Sequence, residues 1–544
     1  MRSFIFGAVL AAGLWPCAVS AQWYKASSDH FVVYAQDSER DLRTFAERLE
    51  RFHSAMALVL HRKADVPSPS NRVTIFVVSS EREVRRLYQG DSKYVNGFYV
   101  PRAGNSLAIV PTITSTAKEP DESMLTLMHE YAHHFLLSAQ GYAIPRWVSE
   151  GSAEFFASTT FLADGGLQLG RAAQHRGGEL YFAAEVTAEQ LLDPELYAER
   201  RRKGYDAFYG KSWLLYHYLT FSEARAGQLA TYLTLLTKGV GERAAAEQAF
   251  GDFKVLDKEL DRYLQQRRIL SFRLGAEQLS VGSPVMITPL SEGEAESLPL
   301  RIQSQRGVDQ DQAKEVVSEA RALAMRFPED AWVLSELAEA ENDVHERDAA
   351  IAAADRAIAR DPANVNAYLQ KGYALFAKAH EASGKDMAAA YAAARKPFVA
   401  LNRIENDHPL PLVYYYRSYA DQGVKPPELA VDGLVRASEL APFDLGLQMT
   451  VGTTLLALGE TQAARVHLQP VAYNPHGGSM SRSAQALVDK ISSDPGWKGE
   501  DMAQVLARAQ ASEEGDGPSE AGDGGDGEAT GGQGASGGKK AASD

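Results

Sequence analysis

Cysteine is almost absent from this 544-residue chain, and Cys17 is its single example. One thiol cannot form a disulfide within the chain, and a structural zinc site built mostly from cysteines is excluded. Stability must therefore come from burial of apolar side chains. With 45% hydrophobic residues at this length, we expect two or three domains with ordinary cores.

An excess of positive charge is also missing. The chain has 71 Asp and Glu residues against 56 Lys and Arg residues, which gives a net charge of −15, and it contains no basic patch. This balance argues against nucleic acid and anionic membrane surfaces as partners. The apolar run at residues 4–15 is too short to span a bilayer comfortably, so no stable membrane insertion is predicted.

Residues 1–21 have the pattern of a secretory signal peptide. Arg2 supplies a basic start, the apolar run follows, and small residues end the segment at Ala21, where cleavage is expected. The sequence therefore predicts an exported protein, with the periplasm favoured over the extracellular medium. A membrane anchor is the alternative for this segment. A lipoprotein signal is disfavoured, because bulky residues precede Cys17.

The strongest local pattern is an H-E-x-x-H motif formed by His129, Glu130 and His133. Two residues four apart on a helix are separated by about 400°, so the two imidazoles lie on one face, one turn apart. Both can bind a single zinc ion, and Glu130 can reach a water on that ion. The segment Pro120-Asp121-Glu122 supplies an acidic helix start, and Gly141 is a plausible stop.

A second segment, residues 147–154, supplies the missing acid. It predicts the start of another helix, which carries Glu150 and follows the loop after the H-E-x-x-H helix. A catalytic zinc site needs three protein ligands and one open position, so His129, His133 and Glu150 would form a His₂Glu set. Glu154 lies one turn further on the same face, where a carboxylate can accept a hydrogen bond from a ligand histidine.

H-E-x-x-H followed by W-x-x-E-G-x-A-E resembles the gluzincin metallopeptidases, the thermolysin-like and aminopeptidase-N-like (peptidase MA-like) group. The resemblance implies an α+β zincin-like catalytic domain, with a mixed sheet plus helices, over residues 22–270. It also implies Zn²⁺ as cofactor and a peptide or protein substrate. The metzincin pattern is excluded, because Leu136 and Ala139 stand where it requires Gly and His. The Gly-x-Met-Glu-Asn stretch of the aminopeptidase branch is missing before His129, which leaves endopeptidase action or specific processing more open.

The chemistry expected of such a site assigns a role to each residue type. Zinc would lower the pKa of its water to about 7, and Glu130 would act as general base and then pass the proton to the leaving amine. In this group a downstream tyrosine or histidine often donates a hydrogen bond to the developing oxyanion. Tyr209 is the first candidate for that role and Tyr205 the second, with simple packing as the alternative.

Elements around the motif are expected as follows: a helix over 42–62 and strands near 30–34, 73–78, 97–100 and 106–110. The resemblance implies that an edge strand can align a peptide substrate, and 105–111 is our candidate, with an ordinary core strand as the alternative. Residues 271–308 are expected to form a linker or small β extension, with strands near 284–288 and 298–302.

A repeat begins near residue 309, where the composition becomes rich in alanine. Prolines recur at nearly regular steps, with one longer step after the second: Pro328, Pro362, Pro409, Pro442 and Pro475. The regular step resembles the period of about 34 residues of tetratricopeptide repeats. This resemblance implies an all-α solenoid over 309–495 and a possible protein partner on its concave face. An irregular helical domain is the alternative.

Residues 511–544 carry eight acids and two lysines, a net charge of −6, and no aromatic residue, so a disordered tail is predicted. Taken together, the sequence predicts an exported zinc metallopeptidase whose repeats recruit a substrate or partner. The alternative is an exported tetratricopeptide-repeat scaffold with a peptidase-like domain that does not turn over. Another metal-assisted hydrolase would share the same site.

Overall fold

The computed structural model describes residues 22–63, 65–89, 95–111, 113, 120–138, 144–201, 205–474 and 477–515. The predicted signal peptide at 1–21 lies outside these residues, as does the predicted tail from 516 onward. The described chain has an α+β unit at its N-terminal side, followed by an array of helices.

Nine strands form two sheets in the described residues: β1 Tyr24–Ser27, β2 Phe31–Ala35, β3 Val73–Val77, β4 Phe98–Val100, β5 Leu107–Val110, β6 Thr160–Phe161, β7 Leu167–Leu169, β8 Phe272–Leu274 and β9 Met286–Pro289. The larger sheet has the order β4-β5-β3-β2-β1-β9 and the smaller one the order β6-β7-β8. In the larger sheet β2, β3 and β5 run parallel, and the other pairings are antiparallel.

Twelve α-helices of the described chain accompany the sheets: α1 Glu39–Val59, α2 Glu81–Leu87, α3 Glu122–Ser138, α4 Arg146–Ala157, α5 Gly177–Phe182, α6 Ala188–Leu192, α7 Pro194–Arg201, α8 Phe208–Phe221, α9 Gln228–Thr237, α10 Glu242–Phe250, α11 Phe253–Leu264 and α12 Glu292–Arg306. The described part of the array adds eleven: α13 Gln310–Arg326, α14 Ala331–Asp343, α15 Arg347–Arg360, α16 Val365–Glu381, α17 Lys385–Ile404, α18 Pro409–Ala420, α19 Glu428–Leu440, α20 Leu445–Ala457, α21 Thr461–Ala472, α22 Ser479–Ser493 and α23 Met502–Gly515. Among the residues with described structure, no helix is both long enough and apolar enough to cross a membrane.

Four strands of the larger sheet, β2, β3, β4 and β5, are buried on both faces, which explains why they are almost continuously apolar. Alternate side chains point to opposite faces of a strand. Phe31 and Val33 pack on one face in the core that includes α1, α3 and α4. Tyr34 and Phe76 pack on the other face with Leu298 of α12. The helix of the H-E-x-x-H motif, α3, therefore packs on one face of the sheet. Helix α12, which leads into the helical array, packs on the other face.

The strand expected near 298–302 is wrong, because these residues belong to α12. Leu298, Leu300 and Ile302 are all buried, which gives the alternation of a strand. The helix shows this pattern because it is covered on two sides. Leu298 and Ile302 pack on the sheet, whereas Leu300 packs in the core of the array. The expected β extension is represented by β8 and β9, and β9 completes the larger sheet by pairing with β1.

Residues 105–111 do not form the edge strand, and the alternative of an ordinary core strand is confirmed. The strand in this stretch, β5, lies between β3 and β4 and pairs with both. The edge next to α3 is the short antiparallel strand β4, for which the described residues supply no further neighbour. Alternation of apolar residues does not show how many neighbours a strand has. The sequence therefore could not show which of β4 and β5 is the edge strand.

The array consists of helices that pack consecutively, and its turns follow the proline period. Pro328 and Pro362 lie between helices, and Pro409 begins α18. The longer step before Pro409 contains the two long helices α16 and α17. Small residues permit close crossings, since a Cβ at Gly372 would lie 2.5 Å from the ring of Phe398. Pro475 lies outside the described residues.

The α+β unit docks on the array through two loops. Their hydrogen bonds include Ser70 N and Oγ to Glu405 Oε1 at 2.9 and 2.6 Å, Asn71 Nδ2 to the Leu440 carbonyl at 3.0 Å, and Ala103 N to Asp444 Oδ2 at 2.9 Å. Gly104 has a φ of +74°, and a Cβ there would lie 2.7 Å from His408 Cε1. The array also reaches α3 directly, because the Phe443 ring lies 4.3 Å from the ring of His134.

Candidate metal centre

Two packed helices carry the predicted ligands. His129 and His133 lie one turn apart on α3, and Glu150 lies on α4, with all three side chains buried. The residue after Glu150 has to be small, because α4 approaches α8 closely. A Cβ on Gly151 would lie 2.7 Å from the Ser212 carbonyl carbon and closer still to its oxygen. The glycine of the W-x-x-E-G pattern therefore allows α4, the helix that carries Glu150, to pack closely against α8.

The three ligand atoms form a nearly regular triangle. The Nε2 atoms of His129 and His133 are 3.1 Å apart, and Glu150 Oε2 lies 3.5 Å from the first and 3.4 Å from the second. A tetrahedral zinc ion with bonds of about 2.0–2.2 Å keeps its ligand atoms about 3.3–3.6 Å apart. Two sides of the triangle fall within this range and the third, at 3.1 Å, is slightly shorter, so the three atoms can serve as ligands of one tetrahedral ion.

Burial and charge also fit a cation. The side chain of Glu150 is 0% exposed, and those of His129 and His133 are 5% and 9% exposed. A carboxylate removed from water in this way requires a compensating positive charge or donors. Two neutral imidazoles and one carboxylate are the ligand set of an open catalytic zinc site. The residues present therefore suit Zn²⁺.

Glu154 lies where a carboxylate can orient the first ligand. Its Oε1 is 3.2 Å from Nδ1 of His129, so the ring can donate there and present Nε2 to an ion. The same carboxylate accepts from His175 Nε2 at 2.5 Å, and from Arg176 Nε at 2.9 Å and Nη2 at 2.5 Å. Burial alone would raise the pKa of Glu154, but Arg176 and the two imidazoles outweigh it and hold the pKa well below its usual range. Glu154 is therefore a charged acceptor.

The second ligand is held by a hydroxyl group. Nδ1 of His133 lies 3.0 Å from Ser149 Oγ, which again leaves Nε2 directed at the ligand triangle. Sequence reasoning missed Ser149, His175 and Arg176. Ser149 directly precedes Glu150, so its place in the motif was the one available signal. The other two lie well beyond α4 in a short 3₁₀ helix, where no local pattern marks them.

The predicted catalytic residues lie in and around this cluster. Glu130 is buried on α3 beside His129. Tyr209 is half-buried at the start of α8, and the guanidinium carbon of Arg176 lies 4.7 Å from its ring centroid. Since Arg176 also bonds Glu154, Tyr209 is near the centre. Tyr205 is largely exposed.

Arg146 is a further residue near the centre that the sequence did not reveal. It lies on α4 one turn before Glu150, and its guanidinium carbon is 4.2 Å from the ring centroid of Phe208 and 5.9 Å from that of Tyr209. Burial would lower the pKa of Arg146, whereas Tyr209 and Glu150 raise it, and the net shift is upward. Positive charge is thus fixed beside the acid ligand and the candidate tyrosine.

Other histidines have separate partners. Nδ1 of His134 lies 2.5 Å from the Tyr99 hydroxyl, on the face of α3 that meets the array. His217 accepts from the Tyr263 hydroxyl at 2.9 Å and donates to the Gly170 carbonyl at 2.9 Å. Burial lowers the pKa of His134 to about 3 and that of His217 to about 4. Neither belongs to the ligand triangle.

Comparisons with known proteins add a distant similarity. No protein-family model matches the chain. Collagenase ColA of Clostridium perfringens (strain 13 / Type A) is 27% identical over 156 residues, which cover 25% of this chain and 14% of the collagenase. The match thus spans about a seventh of that enzyme.

Solved structures similar to the chain include tetratricopeptide-repeat proteins. One, from Thermus thermophilus, is 15% identical with a TM-score of 0.29, over 40% of this chain and 99% of that chain. Another, YrrB, described as having an unusual peptide-binding site, is 19% identical with a TM-score of 0.28, over 35% and 92%.

Proposed function

We propose that the protein is an exported zinc-dependent metallopeptidase, with the helical array acting as a tetratricopeptide-like module that recruits a substrate or partner. The observation that carries this proposal is the triangle of His129 Nε2, His133 Nε2 and Glu150 Oε2, whose sides of 3.1, 3.5 and 3.4 Å are close to the ligand spacing of tetrahedral zinc. Export, with the periplasm favoured, rests on the signal pattern at residues 1–21.

The residues around the triangle support hydrolysis of a peptide bond. A zinc ion bound there would supply a Lewis acid and lower the pKa of its water to about 7. Glu130, beside the first ligand, takes the proton from the attacking water and passes it to the leaving amine. Tyr209, whose ring lies near two guanidinium groups, donates a hydrogen bond from its hydroxyl group to the developing oxyanion.

The similarity to a collagenase supports a polypeptide as substrate. The name of that relative states an action on collagen, and the match covers 14% of the collagenase. For this chain we therefore propose a polypeptide as the substrate class and assign no cleavage sequence.

The test is metal analysis of the purified protein combined with hydrolysis of an unstructured polypeptide, with and without a chelator. We expect about one zinc per chain and hydrolysis that the chelator abolishes. Glu130→Gln should keep the zinc and lose hydrolysis, whereas Glu122→Gln, an exposed position on the same helix, should change neither. Full hydrolysis by the Glu130→Gln protein would remove Glu130 from its role.

A second candidate is favoured by the helical array, which makes up much of the described chain. In this case the protein is an exported scaffold, and its peptidase-like unit binds polypeptide or metal without turnover. The same experiment separates the candidates. A protein that holds no zinc, hydrolyses nothing and binds a polypeptide equally well with chelator would be a scaffold.

A further inference from the structure

Exposed aromatic side chains are concentrated at one place in the described chain. Tyr181 is 64% exposed, Phe182 89% and Tyr205 67%. The first two end α5, and a bridge between Ala184 and Asp206 brings the third alongside them. The other exposed large apolar side chains of the described residues are aliphatic or methionine. We call the three residues the aromatic rim.

The aromatic rim is attached to the candidate metal centre. At the start of α5, Arg176 bonds Glu154, the acceptor for ligand His129. Within α5, the Glu179 carboxylate accepts from the backbone N–H of Gly210 at 2.8 Å, next to Tyr209. These two contacts, from Arg176 and Glu179, hold one side of this short helix against the candidate metal centre. The exposed end of the helix carries the rim.

Leu180 shows how closely that fixed side is packed. A Cβ on Gly210 would lie 2.7 Å from Leu180 Cγ, so α5 and α8 touch at this point. Leu180 therefore faces α8, whereas the neighbouring Tyr181 and Phe182 are exposed at the end of a helix that is packed on its other side.

Exposed aromatic clusters on soluble proteins mark binding surfaces, because burial of a ring against an apolar partner is favourable and costs little side-chain entropy. We propose that the aromatic rim binds apolar side chains of an extended polypeptide substrate that crosses the metal centre. We choose a polypeptide substrate as the bound partner because of where the rim lies. It is at the end of the helix whose N-cap residue, Arg176, contacts Glu154, the acceptor for the candidate ligand His129. The inference rests on the proposed function and narrows its substrate class to unfolded chains with apolar residues.

The experiment measures binding without turnover. The full chain with Glu130→Gln is titrated into two labelled unstructured polypeptides, one containing Phe and Leu and the other with those residues replaced by Ser. We expect the apolar polypeptide to bind more tightly. Adding Tyr181→Ser, Phe182→Ser and Tyr205→Ser should weaken its binding about tenfold or more and leave the polar polypeptide unaffected.

A matched control carries serine at three exposed apolar positions of the α+β unit outside the rim: Val66, Leu270 and Met286. This control should bind like the parent. Equal binding by the rim variant and the parent would overturn the inference, and so would equal binding of both polypeptides. If the rim variant instead lost binding to phosphatidylcholine–phosphatidylglycerol vesicles and kept the polypeptide, the rim would be a lipid contact and the inference would be wrong.

Hydrolysis by the unmodified chain is measured separately. A rim-dependent affinity without any hydrolysis would support the aromatic rim and refute the peptidase proposal. Hydrolysis with an unchanged KM for the rim variant would support the peptidase and refute the rim. Each proposal can therefore fail without the other.

Discussion

Zinc affinity should depend strongly on Glu154, which does not touch the ion itself. The change Glu154→Gln keeps the size of the side chain and removes its charge. In the structure this carboxylate lies 3.2 Å from Nδ1 of His129 and accepts from His175 and Arg176 as well. The Glu154 carboxylate fixes the tautomer of His129 and raises the basicity of its Nε2. The substitution replaces this carboxylate with a weaker acceptor, so both effects are reduced.

The magnitude follows from the single bond affected at the ligand. A hydrogen bond to a charged group contributes about 1.5–3 kcal/mol, and loss of such supporting partners lowers metal affinity about 10–100-fold. Because glutamine retains one oxygen that can still accept from Nδ1–H, we expect a value near the lower limit, about tenfold or about 1.4 kcal/mol.

The assay is competition for zinc with a chromophoric chelator, and the thermal unfolding of the metal-free protein reports on its fold. Glu179→Gln is the matched control, since Glu179 is a buried acid that lies 3.5 Å from the same arginine and bonds a backbone N–H instead of a ligand histidine. It should leave zinc affinity unchanged. An unchanged affinity for a folded Glu154→Gln protein would refute the role of Glu154.

Three further outcomes are expected. Gly151→Ala should destabilise the protein by about 1–3 kcal/mol, because its Cβ would overlap the Ser212 carbonyl group, and urea unfolding measures this. Gly104→Ala should cost a similar amount, about 1–3 kcal/mol, because φ is positive and the new Cβ would lie 2.7 Å from His408 Cε1; it should also increase proteolysis between the α+β unit and the array. Burial lowers the pKa of His217 to about 4 from 6.5, so its contribution to stability is full above pH 6.5 and lost as pH falls toward 4. In urea unfolding between pH 7 and 5, His217→Gln should reduce the slope of the unfolding free energy against pH by up to about 1.4 kcal/mol per pH unit.

The local parts of the site were predictable from sequence because they depend on helix periodicity. His129 and His133 share a face of α3 by spacing alone, and Glu154 follows Glu150 by one turn of α4. The packing of α3 against α4 is a tertiary contact, which helix periodicity does not predict. The resemblance to a known motif indicated this contact. The close approach of α4 to α8 at Gly151 is visible in the structure alone.

Errors arose where burial on more than one side changed the pattern. Helix α12 was mistaken for a strand because it lies between the sheet and the array, so its buried positions alternate. Strand β5 was mistaken for an edge because the very short strand β4 pairs outside it. Both mistakes concern neighbours distant in sequence, and single-sequence periodicity does not contain that information.

The peptidase and scaffold candidates share one physical element. On α3, His134 follows ligand His133 directly, bonds Tyr99 of the edge strand β4 and lies 4.3 Å from Phe443 of the array. A helix packed in this way is held from the sheet and from the array at once. Both candidates therefore share the helix that carries two of the three candidate ligands, and the helical array is part of the structure that positions the candidate metal centre.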